Sequence, residues 1–208
     1  MVIENILYRN YKDNEAYTPA FLEDYGAVIQ CFISLYKISF DPLWLNRAEL
    51  LTQKVMDSFY DDEDGMFYLN DLKSEKLIAN KKEIFDNVIP SSNSVMARNL
   101  HQLGLYLYKD TYLAQAKSML QLVSEILMKE PDFLANWANF YLEQSAPTAE
   151  MVIAGKKASE LGLILQKTYQ PNTIVAAATN SNIPDPILAD KKGEKSTCYV
   201  CFDKTCKQ

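Results

Sequence analysis

A proline stands at the head of two successive helical patterns, and this pairing constrains the fold more than any other feature of the chain. Thr18-Pro19 reads as an N-cap followed by a first-turn proline, with apolar residues recurring at Phe21, Tyr25, Val28, Ile29, Phe32 and Tyr36. Asp41-Pro42 repeats the signal. Trp44, Ala48, Leu51, Val55 and Phe59 form the next stripe, with Asn46, Glu49, Gln53 and Asp57 opposite. Two amphipathic helices on so short a link are predicted to form a hairpin. The turn signal Asp61-Asp62-Glu63-Asp64-Gly65 is followed by Met66-Phe67-Tyr68-Leu69, a candidate short strand, and then by a polar connector to Pro90. A third helix is predicted from Ser91 through Val95, Leu100, Leu103 and Leu107. A fourth starts at Thr111 and carries Tyr112, Ala116, Leu120, Val123 and Leu127.

The two hairpins look like repeats. Leu35-Tyr36 followed by Trp44-Leu45-x-x-Ala48 is echoed by Leu107-Tyr108 followed by Tyr112-Leu113-x-x-Ala116, a period of about 70 residues that suits stacked helical hairpins. The competing explanation is that an aromatic-Leu-x-x-Ala run is common at any amphipathic helix start. Beyond Pro131 a fifth helix uses Phe133, Trp137 and Tyr141, and then the texture changes. Met151-Val152-Ile153-Ala154-Gly155 reads as a buried strand, 157–169 as a helix, 173–178 as a second strand and 198–202 as a third. The expected architecture is therefore mainly α. Residues 1–147 form helical hairpins and 148–208 a small α/β appendage. Ala154-Gly155-Lys156-Lys157 lacks the frame of a phosphate loop.

Charge and length narrow the function. The chain has 208 residues, 48% of them hydrophobic, enough for one well-buried core. Its 27 acidic residues against 21 basic ones, a net charge of -6, give no footprint for nucleic acid or an anionic membrane surface. No apolar run reaches the roughly 20 residues needed to span a bilayer, and Met1-Val2-Ile3-Glu4-Asn5 carries no basic leader, so a cytoplasmic protein is expected.

The spaced set Phe21-Leu22-Glu23-Asp24-Tyr25-Gly26, Leu35-Tyr36, Trp44-Leu45, Phe59-Tyr60-Asp61, Gly65-Met66-Phe67-Tyr68, Asp86, Pro90-Ser91-Ser92-Asn93-Ser94 and Tyr199-Val200-Cys201 with Cys206 resembles one family. It is that of the bacterial YyaL-like proteins and the spermatogenesis-associated thioredoxin-domain proteins. The resemblance runs from about residue 8 to near the end. It implies the carboxy-terminal part of a six-hairpin (α/α) barrel, similar to glycosidases and N-acylglucosamine 2-epimerase, in a protein that begins with a thioredoxin-like domain. The chain would then start inside the barrel, without the thioredoxin-like domain and the earlier hairpins. The fold class expected is thus a partial (α/α) six-hairpin toroid. Apolar faces meant for missing hairpins would be exposed, so either a homo-oligomer or association with the missing amino-terminal part is expected.

The resemblance implies a carbohydrate-binding or carbohydrate-acting protein. The other class open to it is a non-catalytic interaction or scaffold module tied to a thioredoxin-like domain. In a toroid every first helix of a hairpin runs the same way, so helix starts gather at one rim, where free N–H groups suit carboxylates or hydroxyl-rich ligands. Asp24 and Asp86 are the candidate acid/base pair, and Glu23, Tyr25, Ser91 and Asn93 the candidate ligand-binding groups. Helix capping and the helix dipole compete for Glu23, Asp86 and Ser91. Asp24, flanked at helical spacing by Ala20, Ala27 and Cys31, is expected to be partly desolvated. His101 is the sole histidine and reads as a surface residue, which leaves no paired-histidine arrangement and no Ser-His-Asp or Cys-His set. Cys198, Cys201 and Cys206 offer three thiols where structural zinc wants four ligands, so no metal and no cofactor is expected. The resemblance covers Cys201 and Cys206 but not Cys198, leaving a Cys201–Cys206 disulfide or plain thiols. Trp44 and Trp137 lie on apolar stripes and read as core.

Overall fold

The computed structural model describes residues 1–73, 80–179, 186–189, 191 and 195–207, so part of the polar connector before Pro90 lies outside the described residues. The chain opens with an antiparallel three-stranded meander: β1 (Val2–Ile3), β2 (Ile6–Lys12) and β3 (Glu15–Pro19). Its two hairpin turns place Glu4-Asn5 and Asp13-Asn14 in the left-handed region, which matches the right-handed twist of paired strands. Thr18-Pro19 therefore closes a strand instead of opening a helix.

α1 (Leu22–Ser39) starts three residues later, and α2 (Pro42–Phe59) returns beside it, its N-cap Asp41 accepting from Leu43 N at 2.9 Å. Tyr60 and Phe67 form one bridge across the following turn, all that emerges of the strand expected there. α3 (Ser92–Leu107) and α4 (Asp110–Lys129) make the second hairpin, with α3 packed against α1. Gly104 lets α4 approach closely: a Cβ there would lie 2.6 Å from Leu113 Cδ2 and 3.1 Å from the Leu113 nitrogen. A 3-10 turn, Pro131–Phe133, leads into α5 (Ala135–Glu143). Trp137 is fully buried, its indole N–H donating to Ile84 O at 2.9 Å, and Trp44 packs partly buried on the core.

The remainder forms a second sheet in the order β5-β4-β6-β7, built from β4 (Ala149–Ala154), β5 (Thr173–Ala178), β6 (Thr197–Phe202) and β7 (Thr205–Lys207), with α6 (Ala158–Leu165) crossing from β4 to its parallel neighbour β5. Strand alternation gives the sheet two apolar faces. Val152, Ile174, Ala176 and Cys201 join the core that also holds Tyr36, Leu100 and Tyr106 from the helices. Ile153, Val175 and Ala177 face the other way, toward Ala158 of α6 and Phe40, the left-handed C-cap of α1. Gly162 on α6 makes room for that ring, since a Cβ there would sit 2.6 Å from Phe40 Cζ. Although β5 is an edge strand, five of its six residues are buried.

These two sheets overturn the expectation of a mainly α, partial six-hairpin toroid. The fold is mixed α/β, with three strands before the first helix and four closing one side of the helical layer. The helical hairpins themselves are present, but a sheet covers them where the toroid reading placed only helices and a small appendage. Among the described residues no helix is long and apolar enough to cross a membrane.

Candidate functional site

The expected rim residues fall into two sets that share no hydrogen bond or ion pair among the described residues. The first faces the amino-terminal meander. Arg9 of β2 reaches Glu23 Oε1 through Nη2 at 3.0 Å and Asp24 Oδ2 through Nε at 3.2 Å, and its guanidinium lies over the Phe21 ring. Asp24 Oδ2 also accepts from Phe21 N at 2.9 Å, so the third residue of α1 reaches back to its start, a half capping box. Tyr25 is buried, its ring edge-on to Phe59, and its hydroxyl accepts from Leu7 N at 3.0 Å. Burial holds that phenol above its ordinary range. Glu23, Asp24 and Tyr25 thus clamp the meander onto the first turn of α1.

The second set organises the segment before α3. Asn93 is fully buried and acts as a backbone surrogate: Oδ1 accepts from Phe67 N at 2.8 Å, and Nδ2 donates to Phe67 O at 2.9 Å and Glu83 O at 3.0 Å. Ser91 occupies the N-cap of α3, yet its hydroxyl is buried without a partner among the described residues. Asp86 caps instead. Its Oδ1 accepts from Ser91 N at 2.8 Å and from Ser94 Oγ at 3.4 Å, while Oδ2 accepts from Asn136 N, in the first turn of α5, at 2.7 Å. Its own amide donates to Phe133 O at 2.8 Å. One carboxylate therefore serves the starts of two helices and ties the segment around it to both. The apolar side chains it carries point outward: Phe85 is 50% exposed, Val88 96%, Ile89 58%, and Phe133 across from them 57%.

Residues missed from the sequence form a polar seam along α3. Ser94 Oγ accepts from Asn136 Nδ2 at 2.8 Å, Asn136 Oδ1 accepts from Arg98 Nη1 at 2.8 Å, and Arg98 forms an ion pair with Glu143 of α5. Four residues beyond Arg98, Gln102 accepts from Lys37 Nζ of α1 at 2.8 Å. His101 is not a surface histidine: it is 9% exposed, beside Phe140, with Gln144 Nε2 3.0 Å from its Nε2. Burial pushes its pKa below the usual range, against the pull of Glu143 and with the help of Arg98. The signal for this seam was the i, i+4 and i, i+3 spacing of Ser94, Arg98 and His101. Beside it opens a cleft of about 450 Å³ lined by His101, Lys117, Glu143, Gln144, Thr148 and Glu150 among others. Glu150 is nearly fully buried and accepts from the Tyr108 hydroxyl at 2.7 Å; burial first, and that bond second, raise the Tyr108 pKa.

Cys201 and Cys206 are disulfide-bonded across the β6–β7 hairpin, whose turn Asp203-Lys204 is again left-handed at both residues. Cys198 is free and exposed; three positions along a strand place it on the face opposite Cys201, so the CxxC spacing brings no thiol to the disulfide. Among the described residues no group of three or more His, Cys, Asp or Glu side chains is arranged to hold a metal ion.

No family model matches the chain. Spermatogenesis-associated protein 20 of Homo sapiens is 25% identical over 198 residues, its Rattus norvegicus counterpart 30% identical over 200, and that of Mus musculus 27% identical over 198, each alignment covering 89% of this chain. The chain spans about a quarter (25%) of the length of these relatives.

Proposed function

We propose that this chain, homologous to one quarter of the spermatogenesis-associated protein 20 sequences, is a non-catalytic interaction module of a larger thioredoxin-domain-type protein. The observation that carries this reading is the apolar ridge of Phe85, Val88, Ile89 and Phe133, exposed yet fixed in place by Asp86. Large apolar side chains exposed on a hydrogen-bonded segment make a candidate interaction surface. The partner is a further folded part of the same kind of protein, since three quarters of each relative lies outside the aligned region. Light scattering of the chain mixed with the part of Rattus norvegicus spermatogenesis-associated protein 20 that lies outside the aligned region tests the reading. A one-to-one complex is expected, lost in Val88→Asp/Ile89→Asp, whose melting temperature stays unchanged because both side chains are exposed. A homodimer that the same substitutions dissolve would make a second copy the partner. A chain that stays monomeric in every mixture would refute the module.

A second reading, binding of a carbohydrate, draws support from the cleft beside α3, where Glu143, Gln144, Thr148 and Glu150 offer donors and acceptors to hydroxyl groups. A thermal-shift panel of mono- and disaccharides tests it. Stabilisation that disappears in Glu150→Gln supports it, and a flat panel sinks it.

A further inference from the structure

β7 is three residues long, lies at the edge of its sheet and pairs only with β6. The turn that joins them, Asp203-Lys204, is left-handed at both positions, with φ of 48° and 65°. The meander meets the same demand with asparagine at the second position of each turn, Asn5 and Asn14, a residue that tolerates this region well. Lysine does not share that tolerance. A short edge strand on such a turn has little of its own to hold it, and the covalent link from Cys201 to its register partner Cys206 supplies what is missing. The two sulfurs differ in access. Cys201 is fully buried, whereas Cys206 is half-buried and its Sγ lies 4.0 Å from Lys204 O in an exposed part of the hairpin.

The hairpin is joined to the cleft beside α3. Glu150, Cys201 and Cys206 are successive register partners across β4, β6 and β7, so their side chains share one face of the sheet. Glu150 and Asp203 both line the cleft. Lys204 reaches the junction of α3 and α4: its Nζ pairs with Asp110 Oδ1 at 2.8 Å and lies 5.4 Å from the centre of the Tyr108 ring, whose hydroxyl donates to Glu150. The Lys204–Asp110 pair is exposed at both ends, and such a pair contributes little in water. The position of the turn against the cleft therefore depends on the hairpin staying closed.

We propose that the Cys201–Cys206 disulfide is a thiol-exchange site for dithiol reductants, and that its reduction releases the Asp203-Lys204 turn from Tyr108 and Asp110 and so loosens one wall of the cleft. A thiolate of the reductant attacks Cys206 Sγ and forms a mixed disulfide with it, while Cys201 Sγ leaves with the electron pair and takes up a proton. The second thiol of the reductant loses its proton, attacks its partner sulfur in the mixed disulfide and releases Cys206, which is protonated in turn. The chain gains two electrons and two protons, and the dithiol becomes a disulfide. The proposal uses the geometry of the cleft alone and stands whether or not a carbohydrate enters it. Its test treats the full chain with dithiothreitol in native buffer, followed by alkylation with mass spectrometry and by NMR. Alkylated cysteines should rise from the free pair, Cys31 and Cys198, to all four without urea. The cross-peak between the α-protons of Cys201 and Cys206, whose Cα atoms are 3.9 Å apart, should then vanish. Amide signals of Tyr108, Asp110, Glu150 and residues 199–206 should shift, while those of residues 6–19 in the meander stay in place. Cys206→Ser, checked for an unchanged circular dichroism spectrum, should show the reduced positions without reductant and ignore its addition. A disulfide that dithiothreitol reduces only in urea would overturn the proposal without any variant. So would a hairpin cross-peak that survives reduction, Tyr108 and Glu150 signals that do not move, or a reduced chain that loses its native signals throughout, which would make the disulfide a staple of the whole fold.

Discussion

Replacing Asp86 by alanine isolates the part of the fold that holds the apolar ridge. The substitution strips an acceptor from two backbone N–H groups, those of Ser91 and Asn136, at 2.8 and 2.7 Å, and from the weaker Ser94 hydroxyl contact at 3.4 Å. A lost cap costs about 0.5–2 kcal/mol, and a donor left unsatisfied in a partly buried setting costs about 1–3 kcal/mol. Two caps lost together should therefore destabilise the chain by about 2–4 kcal/mol. At this chain length that lowers the melting temperature by roughly 6–12 °C, taking about 3 °C per kcal/mol. Urea unfolding is the assay, with the midpoint falling and the slope unchanged. Ser91→Ala supplies the internal control, because the hydroxyl at the apparent N-cap of α3 has no partner among the described residues. That variant should stay within about 0.5 kcal/mol of the parent or gain slightly. A loss in Ser91→Ala equal to that in Asp86→Ala, or a loss below about 1 kcal/mol in Asp86→Ala, would refute the double-cap assignment.

Three further outcomes follow from the packing. The sole histidine is buried with a pKa below its unfolded value near 6.5. Its contribution to stability should be complete above about pH 6.5 and decline as pH falls through the folded value; urea midpoints from about pH 7.5 to 5 should drop in the parent and stay flatter in His101→Gln, and parallel slopes would contradict this. Reducing Cys201–Cys206, five residues apart, should cost about 2 kcal/mol through the loop it closes, and an unfolding midpoint insensitive to reductant would count against that figure. Gly104→Ala should destabilise by about 1–3 kcal/mol, because the new methyl meets Leu113 and its backbone nitrogen; a rise in stability from helix propensity alone would show that α4 yields freely.

Legibility in the sequence tracked how local each cause was. The Asp41-Pro42 start of α2 and the uninterrupted apolar run of β5 were readable because propensity and burial act there on adjacent residues. The amino-terminal meander was not. Its turns are Glu4-Asn5 and Asp13-Asn14, without the glycine that normally marks a two-residue hairpin, and β2 is mostly exposed after Leu7, so no alternation shows. Thr18-Pro19 misled for a related reason: proline suits a strand end as well as a first helical turn. At the candidate site, Glu23 and Asp24 were recognised as helix-start acids, but their cation, Arg9, lies on a strand that the pattern did not reveal. The bond from Asp86 to Asn136 spans fifty residues, and the seam of Arg98, His101 and Glu143 depends on how α3 meets α5. Such distant pairings leave no mark in a hydropathy pattern.

The buried edge strand carries a liability of its own. Thr173–Ala178 is an uncharged, proline-free and glycine-free hexapeptide of β-compatible residues, the composition that stacks readily into intermolecular cross-β ladders. In the native molecule α3 and α6 lie against it, with Tyr106 reaching Val175 O. Loosening α3 would therefore bare a strand template before the chain unfolds globally. Weakened variants in this region are expected to be lost first as aggregates in the cell, and their yield of recovered protein would fall further than their equilibrium stability.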